Sequence, residues 1–143
     1  MSIGYTCIMD KKLVVSVWDG NVTLDQWREN LDRLLADPDF PATRINIVDM
    51  RFGHPDHTIG EGEIQQVIDF LATHQEKIAG RKIAIVAGED FTKPKYFERL
   101  AESLLAKVIV FNFLHSACSW LGADPKETEQ TMEQIRVRLR HRQ

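Results

Sequence analysis

Cysteine is scarce: Cys7 and Cys118 are the only two in 143 residues. Two isolated thiols build no disulfide framework, and neither stands in a CxxC or Cys/His spacing that would hold zinc. Both lie in apolar surroundings and read as free core thiols. Proline and glycine are also few, 5 and 8, which excludes collagen-like and low-complexity architectures, while a 43% hydrophobic content excludes a disordered chain. No apolar run approaches the roughly 20 residues needed to cross a bilayer. The opening MSIGYTCIMDKK lacks the charge order, long apolar stretch and cleavage site of a secretory signal. The expectation is therefore a cytoplasmic protein without stable membrane insertion. The length suits a single domain, 1–143, able to bury about two-thirds of its unfolded surface.

Charge is uneven. Arg136, Arg138, Arg140 and Arg142 crowd the last residues with no acid among them, so the rest of the chain is more acidic than the net −3 indicates. An acidic body lacks the basic stripe that displaces counterions from nucleic acid, so no nucleic-acid partner is expected. The basic cluster reads as a solvated helix end, where cations suit the negative pole of the helix.

What is present is an alternation of apolar patterns. Tyr5–Met9 and Leu13–Trp18 read as two strands joined by a polar turn at 10–12, and Asp19-Gly20-Asn21 breaks the second. Thr23 and Gln26 have capping-box spacing, flanked by a Val22/Trp27 hydrophobic staple, and Leu24, Trp27, Leu31, Leu34 and Leu35 mark a helical face. Asp37 to Pro41 stops that helix. Ile45–Met50 (INIVDM) is a strand buried on both faces, followed by a polar loop from Arg51 to His57. Thr58 with Glu61 repeats the capping-box spacing ahead of Ile64, Val67, Ile68 and Leu71, with Gly80 as terminator. Lys82–Ala87 is a further buried strand, and a helix starts near Pro94. Val108–Phe111 is the last strand, and a short helix carries Ala117, Trp120 and Leu121 to Gly122. A final helix over 124–143 starts with Asp124-Pro125-Lys126-Glu127 and is polar except for Met132, Ile135, Val137 and Leu139. That narrow stripe suits a helix lying across the domain or one paired with its copy in a homodimer. Strand–helix alternation implies an α/β protein with a mixed, mostly parallel five-stranded sheet.

Particular residues carry a family likeness: Gly20 with Thr23, Asp49 and Arg51 closing the buried strand, Ile83 to Val86, Tyr96-Phe97-Glu98 with Ala101, Val110-Phe111, and Ala117 with Trp120-Leu121. Over roughly residues 5–122 the chain resembles the SpoIIAA-like (STAS-like) family, and within it the uncharacterised stand-alone bacterial members. The resemblance implies strand–helix superhelical turns stacked on a mixed sheet, and a regulatory or protein-binding module rather than a catalyst. Some proteins of this fold are related in shape to lipid carriers. In anti-sigma-factor antagonists a phosphorylatable Ser opens the helix after the Asp-ended strand, in an Asp-Ser-Ser-Gly setting. That pattern is absent here, and Thr58 is the only hydroxyl at the corresponding helix start. Thr58 is then either a phosphorylation site or a plain helix cap, and Glu61 one turn in would repel a phosphate.

The segment from Arg51 to Thr58 is the richest polar cluster and leaves the carboxyl end of a buried strand, where open α/β sheets hold ligands. His54, Asp56 and His57 are suitable zinc ligands by type, but three so close on a Pro-kinked loop need a distant fourth; the weightier reading is a turn in which Asp56 bonds local amides. Asp49 would accept a proton or a ligand donor, cap a neighbouring backbone, or pair with Arg51 or Arg44. No serine has a nucleophile-elbow setting, and Gly88-Glu89-Asp90 is wrong for phosphate. No catalytic residue, metal or cofactor is assigned. Tyr96, Phe97, Phe111, Phe113 and Trp120 are core first, or else the lining of an apolar cavity. The expectation is a binding module acting through Asp49, Arg51, His54, Asp56, His57, Thr58 and Glu61 on a protein partner. A small apolar-ligand or lipid carrier is the alternative, and a hydrolase centred on Asp49 and His54 the third.

Overall fold

Alternating apolar residues in five short segments pair into one sheet. The computed structural model describes residues 2–141. The strands are β1 (Ile3–Ile8), β2 (Leu13–Val22), β3 (Ile45–Pro55), β4 (Lys82–Ala87) and β5 (Lys107–Phe111), in spatial order β1-β2-β3-β4-β5. β1 and β2 form an antiparallel hairpin, and the other pairs are parallel. β3 therefore lies in the middle, as its apolar composition requires.

Parity along the strands separates two cores. Val14, Trp18, Val22, Met50 and Ile85 point to one face. There α1 (Leu24–Ala36), α2 (Glu61–Ala72), the short α3 (Gln75–Ile78) and α4 (Thr92–Leu100) cover them. Leu13, Val15, Val17, Ile47, Ala84 and Val86 point to the other, under α5 (Leu114–Leu121) and α6 (Pro125–His141). The capping box on α1 is complete: Gln26 N–H donates to Thr23 Oγ1 at 3.2 Å and Thr23 N–H to Gln26 Oε1 at 3.0 Å. Asp124 accepts from Glu127 N–H at 2.8 Å and opens α6, whose Met132, Ile135 and Leu139 pack onto the sheet.

Several expectations are corrected. Asp19-Gly20-Asn21 does not end β2, and Arg51 to Pro55 is strand rather than loop; the two segments pair, Asn21 opposite His54 and Val22 opposite Pro55. Between them the register slips, since Val17 faces Asp49 but Asp19 faces Phe52. One extra residue on β3 makes this a bulge. The polar sequence misleads because these strand ends stand at the rim, where backbone pairing persists without burial. The aromatic set is also divided: Phe97 lies in the core under α4, Phe111 and Trp120 in the core under α5, and Phe113 is exposed. The sheet between them prevents a shared cavity. The final helix lies across the domain against β1 and β2.

Candidate functional site

The bulge in β3 restarts the alternation, so Asp49, Arg51 and Phe52 share the α6 side. Asp49 is fully buried. Arg51 bonds it with Nε to Oδ1 at 2.8 Å and Nη2 to Oδ2 at 3.0 Å, and Arg136 Nη1 reaches Oδ2 at 2.6 Å. Arg51 also holds Glu129 at 2.6 Å, and Arg136 holds Glu133 at 2.9 Å. The Phe52 ring lies 4.8 Å from the Arg136 guanidinium and 5.4 Å from that of Arg51, within cation–π range. Hydrogen bonding to Asp49 raises the Arg51 pKa most, Glu129 adds to it, and burial opposes both. Of the two partners anticipated for Asp49, Arg51 is used, while Arg44 bonds the carbonyls of Pro41 and Thr43.

Arg136 departs from the solvated-tail reading, being 3% exposed, whereas Arg138 and Arg140 are exposed at the same helix end and bond Thr6 and Asp19. Arg142 lies outside the described residues. Sequence reasoning missed Arg136, Glu129 and Glu133. A signal existed, because Arg136 falls in phase with Met132, Ile135 and Leu139 on the buried stripe.

The remaining rim residues do different work. Asp56 accepts from Asn21 Nδ2 at 2.9 Å, from Thr58 N–H at 3.1 Å and from the Thr58 hydroxyl. These bonds, the Thr58 hydroxyl first, hold its carboxyl well below the usual carboxylate range. Thr58 is not the cap of α2: Gly60 occupies that position, and its N–H donates to Glu63 Oε1 at 2.7 Å. His54, His57 and Glu61 are exposed on the same rim. Among the described residues, no group of three or more His, Cys, Asp or Glu side chains is placed to hold a metal ion.

A cavity of about 120 Å³ opens on the opposite face, between the sheet and α1, α2 and α4. Its wall is mostly apolar, with Leu31, Met50, Ile59 and Ile83 prominent. Trp18, Trp27 and Phe97 line it in a row, ring centres 5.4 and 5.8 Å apart, each of the two pairs tilted or edge-on. Five polar residues also line it: the half-buried Lys93, and four that are buried, Ser16, Asn30, Asn46 and Arg81. Nothing in the sequence marked these four: Ser16 and Asn46 sit singly within apolar strands, while Asn30 and Arg81 stand next to other polar residues that are solvated.

These features define a SpoIIAA-like α/β fold, as the resemblance implied. A similar solved structure is that of an uncharacterised protein from the DUF3478 family with a SpoIIAA-like fold, from Shewanella loihica PV-4. It matches with a TM-score of 0.53 and 16% identity over 83% of this chain and 91% of that one. No protein-family model matches the chain, and no curated protein does. Among the described residues no helix is long and apolar enough to cross a membrane.

Proposed function

We propose that this chain is a non-catalytic cytoplasmic binding module whose binding compartment is the apolar cavity beneath α1, α2 and α4. The observation that carries this reading is the cavity itself. Protein interiors contain few voids larger than a water molecule. An apolar wall that faces water forgoes the stabilisation its burial would give, so an apolar occupant is favoured there. An apolar cavity of about 150 Å³ takes up a benzene-sized molecule. A non-catalytic role is supported by Asp49, whose two oxygens both accept hydrogen bonds from arginines. Native mass spectrometry of freshly purified protein tests the reading. A population heavier by one small organic molecule, removed by solvent extraction, is expected; bare protein that also takes up no added 1-butanol contradicts it.

A second reading is favoured by the exposure of Phe52, 55%, on the rim that also presents His54, His57, Thr58 and Glu61. This rim is a surface for a protein partner or a second copy of the chain, with Thr58 as its modifiable position. Thr58→Glu is then expected to alter partner capture with thermal stability nearly unchanged. Unaltered capture removes the rim from consideration.

A further inference from the structure

Two arginines are buried on opposite faces of the sheet, and their charges are treated differently. Arg136, 3% exposed, meets carboxylates of Asp49, Glu129 and Glu133 within 4 Å. Arg81, 5% exposed, bonds only neutral acceptors among the described residues: Nε to the Lys77 carbonyl at 3.2 Å, Nη1 to Thr43 Oγ1 at 2.8 Å and Asn46 Oδ1 at 3.2 Å, and Nη2 to the Phe40 carbonyl at 2.7 Å. Its guanidinium stacks on the Phe40 ring at 3.7 Å. A guanidinium carries five N–H donors, so one on Nη2 is left over. A buried charge without a counter-charge is costly, and fixed dipoles offset that cost only in part. Burial first, and repulsion from Arg44 second, push Arg81 down to about 10.

Arg81 lines the apolar cavity. It stands at the amino end of β4, beside Asn46 near the start of β3, whereas Met50 and Ile59 line the cavity toward the carboxyl end of the sheet. At about 120 Å³ the cavity has room for a body no larger than a benzene-sized molecule. We propose that Arg81 anchors the head group of the cavity's ligand, and that the ligand is a small monocarboxylic acid with an aliphatic or aryl body. This rests on the cavity reading above. Of the two cations on the lining, Lys93 is half-buried, whereas Arg81 is buried without a counter-charge among the described residues, and that charge calls for a single negative one. The planar guanidinium edge with one open N–H, next to the Asn46 amide, suits a carboxylate better than a phosphate, which demands more donors.

Titration of the full chain with butyrate, 1-butanol and butylamine, followed by calorimetry, tests the assignment. Wild-type protein is expected to bind butyrate about tenfold tighter than butanol and to reject butylamine, as a charge-assisted hydrogen bond implies. In Arg81→Gln the butyrate affinity falls about tenfold, while butanol stays within about twofold. Equal affinity for butyrate and butanol in the wild type overturns the role of Arg81 and leaves the cavity reading standing. Failure of all three probes to bind overturns both. Should Arg81→Gln not fold, the ranking of the three probes on the wild type decides alone.

Discussion

Asp49 and Arg136 are separated by 87 positions in the chain and by 2.6 Å in space. This pair fastens α6 to the central strand of the sheet. With Arg51 completing the carboxylate's bonds, it turns two elements distant in sequence into one packed layer.

Removing the shared acid should expose the cost of that arrangement. Asp49→Ala leaves Arg136 buried and Arg51 half-buried without their common partner, and is expected to lower unfolding free energy by about 3–5 kcal/mol in urea denaturation. Arg136→Met, which leaves Arg51 on Asp49, is expected to lose less. A double-mutant cycle between the two should show coupling well above that of an exposed pair; additive losses would mean that α6 docks by apolar contact alone.

Glycine positions give opposite signs. A methyl on Gly53 would lie 2.5 Å from the Trp18 carbonyl carbon, where the bulged strands press together. Gly53→Ala should cost about 1–3 kcal/mol. Gly62, on the first turn of α2, leaves open space around the point where a methyl would stand, with no atom within 4 Å, so Gly62→Ala should gain about 0.5 kcal/mol. Thermal melts of the two variants should move in opposite directions.

Thr58→Ala removes the hydroxyl that contributes most to the low Asp56 pKa. NMR titration of the Asp56 carboxyl should show its midpoint rising toward the ordinary value of about 3.9. The folded-state pKa is depressed, so this group's contribution to stability is present above the unfolded value and disappears as pH falls through the folded one. The variant should therefore lose part of that contribution at neutral pH. An unmoved midpoint would show that Asn21 and the backbone suffice.

Cys7 gives the alkaline counterpart. Burial first, then Asp37 and Asp39, push its thiol up to about 11 from 9.0. The folded state holds this proton more tightly, so the contribution is complete below pH 9.0 and is lost as pH rises toward about 11. Alkylation of Cys7 at pH 8.5 should be slow in the native protein and rapid in urea. Equal rates in both states would place the thiol in solvent.

Much of the fold was legible in the sequence because its signals are local. Lys82–Ala87 was bounded by its own apolar run, and the Thr23/Gln26 box marked the start of α1 by spacing alone. The rim was read less well. Arg51 to Pro55 looks like loop because half of its side chains are polar, yet pairing with the end of β2 makes it strand. Asp49 was found and one of its partners anticipated; Arg136 was not, because a helix-end arginine is read as solvated unless its phase with Met132 and Leu139 is weighed. Arg81 had no local signal at all. Its burial depends on Phe40, Thr43 and Asn46, which only the folded chain brings to it.

The cavity is tested most directly by methyl NMR during titration with 1-butanol. The largest shifts are expected at Leu31, Ile59 and Ile83, which line the cavity, with Val15, Ile135 and Leu139 on the far side of the sheet unmoved. Shifts confined to the α6 side, or none at saturating butanol, would contradict a binding compartment beneath α1, α2 and α4.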